Sequence, residues 1–198
     1  MYKKQMKLQR IICLFALIAA ALVFIYSLGM LTDLYDSLYP MMRNPDDLTE
    51  TDVPGSIIYY DMQPFNHQLT VNSIGLILLA ALLFVTGTSS RRKYYIGNYT
   101  ATALNVIAQA GVAVWAHLKI SAFKTQFLTT LDFESLEMWS EIWDTPNLTK
   151  ESTFWFDILY LVFALVLLAA VLLILNVIWK RRLMRDEKAL LAGKAVSV

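Results

Sequence analysis

Four residues of one apolar stretch carry hydrogen-bonding groups at helical spacing. Asn98, Thr102, Asn105 and Gln109 fall at i, i+4, i+7 and i+11, which sets them on one face of an α-helix. Amides facing hydrocarbon are costly, so this face is expected to point into a bundle of helices. There it can act in two ways. It can hydrogen-bond to neighbouring helices, at about 0.6 kcal/mol per pair on average. It can also form the polar wall of a path for a neutral or polar solute. Proton relays and ion pathways usually add an ionisable residue in mid-span, and none interrupts the middle of any apolar run here.

A second pattern lies between the third and fourth apolar runs. Leu136, Trp139, Ile142 and Trp143 alternate with Thr130, Glu134, Glu137 and Glu141, whose spacing is again i, i+4, i+7, i+11. The spacing predicts an amphipathic helix over 133–143, capped by Asp132 and ended by Asp144-Thr145-Pro146-Asn147. Such a helix can pack on the bundle or lie in the interface. Its acidic polar face differs from the basic face of most interfacial helices. The apolar residues are therefore also candidates for docking into a groove of a partner protein.

Other reactive constellations are missing. Cys13 is the single cysteine, which excludes an intrachain disulfide, an internal dithiol and a cysteine-built metal site. His67 and His117 have no third ligand at motif spacing. Asp46, Asp47, Glu50 and Asp52 lack the calcium-loop pattern with its central glycine. There is no glycine-rich phosphate loop, no Gly-x-Ser-x-Gly and no His-Glu-x-x-His. Neither an enzyme nor a bound metal or cofactor is expected. Asn147-Leu148-Thr149 fits a glycosylation sequon, as does Asn98-Tyr99-Thr100.

The elements that must position these residues follow from composition. The 198 residues are 57% hydrophobic and 17% charged, against about 25% charged in a soluble domain, and mean hydropathy is +0.50. The charges clump between uncharged runs long enough to cross a bilayer. The runs cover about 11–31, 69–88, 96–118 and 158–179. Each must satisfy its own backbone in lipid, so each is read as a helix. The first follows Lys3, Lys4, Lys7 and Arg10 and exceeds a signal-peptide core of about 7–15 residues, which favours an uncleaved anchor. The expectation is an all-α membrane protein, one four-helix domain over 1–198.

Orientation follows from lysine and arginine. Residues 1–10, the loop 89–95 and the tail 180–198 carry thirteen of the seventeen. That side is expected to be cytoplasmic, with both termini inside a plasma membrane. The loops 32–68 and 119–157 face outward, each with seven acids. Tyr26, Tyr35, Trp115 and Trp155 sit near the outer boundary, and Tyr94, Tyr95 and Trp179 near the inner one, as interfacial anchors do. A net charge of +1 offers nothing to a nucleic acid.

Four spans with two outer loops resemble tetraspanins and claudins in outline, but those families have outer-loop cysteines and this chain has none there. Tyr26-Ser27-Leu28-Gly29 and Met62-Gln63-Pro64-Phe65-Asn66-His67 are similar to segments of small uncharacterised four-span proteins of Gram-positive bacteria, some encoded beside sugar-type ABC-transporter permeases. The resemblance implies a bacterial plasma membrane and association with a transporter, and no activity. The expected role is a non-enzymatic accessory or scaffold subunit, in contact with the lipid bilayer and with another membrane protein or a second copy. The alternative is a small homo-oligomeric transporter or channel for a neutral or polar solute, lined by Asn98, Asn105 and Gln109.

Overall fold

The computed structural model describes residues 2–38, 42–44, 47–88, 98–144 and 152–196. In chain order the elements are α1 (Tyr2–Leu38), β1 (Met42–Asn44), β2 (Asp47–Thr51), α2 (Ile58–Gly87), α3 (Tyr99–Thr130), α4 (Phe133–Trp143) and α5 (Phe154–Val196). The basic loop Arg91-Arg92-Lys93, Tyr94, Tyr95, the turn residues Pro45 and Asp46, and the sequon at Asn147 lie outside the described residues. So do the side chains of residues 31–50 and of Trp143.

Among the described residues, four helices are long and apolar enough to cross a membrane, over Lys4–Met30, Ile58–Gly87, Tyr99–Thr130 and Phe154–Leu190. The chain is an integral membrane protein of the all-α class. Among the described residues, β-structure is limited to the antiparallel pair β1–β2, in the register Met42↔Thr51 and Asn44↔Asp47.

The helices outrun their uncharged stretches. α2 begins at Ile58, well ahead of Leu69, and holds Pro64 in its early turns. α5 continues past Trp179 to Val196. An uncharged run marks where hydrocarbon can cover the chain, whereas backbone hydrogen bonding continues until a cap or breaker ends it.

The chain divides into two compact units. The first comprises Met1–Ala21, Gly75–Val112 and Ala164–Val198, and the second Leu22–Ile74 and Ala113–Phe163. Small residues are used selectively. Ala16 and Ala20 on α1 and Ser73 on α2 are fully buried. A side chain added at Gly75 or Gly111 would meet nothing within 4 Å, so those two glycines make no close helix contact.

The second unit is organised by aromatic rings. Phe127 is buried, with ring centroids 6.3 Å from Tyr59, 5.3 Å from Phe133 and 5.5 Å from Phe156. Phe65 stands 5.2 Å from Trp115 and 5.6 Å from Phe123. These spacings suit tilted and edge-on packing, worth about 0.5–1.5 kcal/mol per pair beyond area burial. The α3–α4 junction is fixed by hydrogen bonds. The Asp132 carboxylate accepts from the Ser135 backbone N–H at 3.2 Å and from its hydroxyl at 2.6 Å, which makes Asp132 the N-cap expected for α4. These bonds hold the Asp132 carboxyl below its ordinary range. The opposite end stops at Asp144 in the left-handed region (φ 51°).

Gly55 has φ of +80°, and a Cβ there would come within 2.0 Å of the Thr130 carbonyl oxygen. Beside it, the Asp132 N–H donates to the Pro54 carbonyl at 3.0 Å. Gly55→Ala is therefore expected to lower stability in detergent by more than about 1 kcal/mol. Gly111→Ala, in an open helical position, should leave stability unchanged or raise it by up to about 1 kcal/mol. Thermal unfolding of both variants checks the pair, and an unaffected Gly55→Ala would contradict the close approach.

Candidate functional site: a buried polar layer

The polar stripe that begins at Asn98 and continues along α3 is buried throughout. Asn98 and Thr102 are each 7% exposed, and Asn105 and Gln109 each 1%. All four belong to the first unit, where further polar side chains are buried: Gln5 and Gln9 from α1, and Asn176 and Lys180 from α5.

These groups satisfy one another and the backbone. The Gln5 side-chain amide donates to Gln9 Oε1 at 3.2 Å and to Asn176 Oδ1 at 3.0 Å, joining α1 to α5. Gln9 Nε2 donates to the Gly87 carbonyl at the end of α2. That carbonyl is among the last four of its helix and has no intrahelical donor. A Cβ at Gly87 would stand 3.0 Å from Asn98 Nδ2, 3.2 Å from Gln9 Nε2 and 3.3 Å from Cys13 Sγ, so a glycine lets α1 and α3 reach this helix end. Asn105 Nδ2 donates to the Leu79 carbonyl on α2 at 2.9 Å and to the Ala101 carbonyl on its own helix at 3.0 Å. Thr102 Oγ1 donates to the Asn98 carbonyl at 2.9 Å.

Lys180 is the buried cation of this layer, 1% exposed. Its Nζ donates to Asn98 Oδ1 at 3.0 Å and lies 4.8 Å from the centre of the Tyr99 ring. Arg181 lies 5.3 Å from the same ring, and the Tyr99 hydroxyl meets Met184 Sδ at 3.7 Å. The run Lys180-Arg181-Arg182 reads in sequence as one basic cluster behind the last span. In the helix, successive residues turn by about 100°, so Lys180 enters the interior while Arg182 stays exposed. Sequence reasoning missed Gln5, Gln9, Asn176 and Lys180. The available signal was the i, i+4 spacing of Gln5, Gln9 and Cys13 and of Asn176 and Lys180.

Not every atom of the stripe is paired. Gln109 Nε2 and Oε1 and Asn105 Oδ1 are buried without a hydrogen-bond partner. A chemistry of hydrogen bonding fits these groups: amides, one hydroxyl and one ammonium. Among the described residues no three His, Cys, Asp or Glu side chains converge as metal ligands.

A second polar contact lies in the second unit. Asn66 Nδ2 donates to the Ser27 carbonyl at 2.9 Å, and Thr70 Oγ1 donates to Ser27 Oγ at 3.1 Å. Gly29 faces the Trp155 ring, with a Cβ position 3.4 Å from it. The segments Tyr26–Gly29 and Met62–His67 thus meet each other through Ser27 and Asn66. The His117 ring lies tilted against that of Tyr160, with centroids 5.1 Å apart, and the Tyr160 hydroxyl lies 3.2 Å from Ser121 Oγ. His67 is exposed.

The residues expected for docking on α4 divide between the interior and the outside. Leu136 and Trp139 are buried, at 1% and 7% exposure, while Ile142 is 74% exposed. The side chain of Trp143 lies outside the described residues. Leu136, Trp139 and buried Ser140 share one helical stripe at i, i+3, i+4 and face the interior. The outward face carries Glu134, Glu137, Met138, Glu141 and Ile142.

Neither a family model nor a curated protein nor a solved structure matches the chain.

The pairing pattern separates two amide positions, Asn98 just before α3 and Gln109 within it. Asn98→Leu removes an acceptor from buried Lys180 and is expected to cost about 1–3 kcal/mol. Gln109→Leu removes an amide with no partner and should leave stability unchanged or increased. Thermal unfolding in mild detergent measures both, and equal losses would contradict the distinction.

Proposed function

We propose that this chain is a non-enzymatic accessory or scaffold subunit of a bacterial plasma membrane, with both termini cytoplasmic, that binds another membrane protein. The resemblance stated above makes a transporter the natural partner class. The observation that carries this reading is the outward face of α4, where Met138 (55% exposed) and Ile142 (74% exposed) stand among Glu134, Glu137 and Glu141. An apolar pair rimmed by charged side chains can seat in a groove of a partner protein. The polar layer supports the same reading. Gln5, Gln9, Asn98 and Asn176 are hydrogen-bonded inside the chain, as groups that hold helices together are. The thirteen-to-four bias of basic residues supports the orientation.

A second reading, a small oligomeric path for a neutral or polar solute, is favoured by one feature. Both amide atoms of Gln109, and Oδ1 of Asn105 one turn away, are buried without partners. Such groups could hydrogen-bond a passing solute.

Affinity purification of the tagged chain from its native membrane in mild detergent tests the first reading. A second membrane protein at stoichiometric yield is expected. Met138→Glu with Ile142→Arg should reduce its recovery about tenfold or more, with the fold intact because both side chains are exposed. Undiminished recovery would remove α4 as the contact. Recovery of the chain alone, together with solute flux in liposomes that Gln109→Leu abolishes, would replace the first reading with the second.

A further inference from the structure

α1 and α5 border an open groove of about 470 Å³ in the first unit, within the size range of small-molecule sites, about 300–1,000 Å³. Its walls are apolar: Leu8, Ile11 and Phe15 from α1, and Leu172, Leu175 and Trp179 from α5. Ile11 and Leu175 are each 55% exposed, Leu8 38% and Trp179 36%, so the groove opens on the side of the helices that hydrocarbon would cover. One polar side chain lines it. Asn176 is 7% exposed and accepts from Gln5 on the inner side.

The charges at one end of the groove are mostly basic. Lys4 lies one turn before Leu8, Lys7 one turn before Ile11, and Arg182 three residues after Trp179, so helical spacing carries all three onto the groove-lining faces. All three are exposed. Asp186 and Glu187, a further turn along α5 and in helical register with Leu175 and Asn176, set two negative charges against these three cations. Trp179 stands where the apolar wall gives way to these cations, the depth at which tryptophan meets lipid headgroups.

We propose that this groove binds an anionic glycerophospholipid. One acyl chain lies between α1 and α5 over the Gln5–Asn176 pair, and the headgroup phosphate lies against Lys4, Lys7 and Arg182. A hydrocarbon chain suits the apolar walls, and a phosphate suits cations grouped at one end. Lipid in this position covers Asn176 and closes the seam between the helices.

The test is native mass spectrometry of the detergent-purified chain, titrated with phosphatidylglycerol or with phosphatidylcholine of identical acyl chains. Retention of phosphatidylglycerol over phosphatidylcholine is expected. Lys4→Gln, Lys7→Gln and Arg182→Gln should weaken phosphatidylglycerol retention about fivefold for each charge removed. Ile11→Trp, which fills the groove, should weaken both lipids. Arg185→Gln with Lys188→Gln, basic positions outside the groove, should change neither. Equal retention of the two lipids would overturn the proposal. So would an equal loss from the Arg185 and Lys188 changes, which would assign the effect to the basic tail as a whole.

Discussion

Hydrocarbon offers no hydrogen-bond partner, so a polar group that enters a membrane-spanning bundle is stabilised by finding one inside the protein. The first unit is organised around this constraint. The Gln5 amide reaches Asn176 on α5, Gln9 takes the last turn of α2, and Asn98 receives Lys180. Apolar packing in lipid gives little net preference for one helix arrangement over another, because lipid tails are as apolar as leucine. Directional hydrogen bonds between particular residues therefore define which helix faces meet. The interior lysine depends on the same layer. Its four-carbon stem could have extended toward the interface, as lysines near membrane ends do, yet the ammonium is turned inward onto an amide oxygen and an aromatic face.

The second unit meets a different demand. Around the Val53–Ser56 turn and α4 it is held by aromatic contacts and one cap. Phe127 draws together Tyr59, Phe133 and Phe156. Gly55 allows the Val53–Ser56 turn to press against the end of α3, where Pro54 accepts the Asp132 N–H. Asp132 then starts α4, and that helix commits Leu136 and Trp139 to the interior. What α4 leaves outside is acidic with two apolar side chains among the acids. This residue gives the accessory-subunit proposal its contact surface.

Much of this was legible in the sequence for physical reasons. Uncharged runs of bilayer length identify four helices, because few other structures tolerate them. The spacing of Asn98, Thr102, Asn105 and Gln109 implied a buried face, and all four are buried. Asp132 before an amphipathic stretch implied an N-cap, and the carboxylate holds one. The rest depended on three-dimensional direction. A basic run is read as a topology signal, and that reading hides the one lysine whose position on the helix turns it inward. Gln5 and Gln9 precede the uncharged run and look solvated until α5 is placed beside them. On α4, Trp139 and Ile142 are three residues apart, too close for periodicity to show that one is buried and the other exposed.

The polar layer holds the helices of the first unit together through hydrogen bonds. The most direct measurement is a double-mutant cycle on its longest-range pair, with Gln5→Leu, Asn176→Leu and the double variant unfolded in the same detergent. A coupling energy of about 0.6 kcal/mol, and no more than about 1.7 kcal/mol, is the result predicted for an interhelical hydrogen bond in a membrane protein. Single-variant losses that simply add, with no coupling, would contradict the claim.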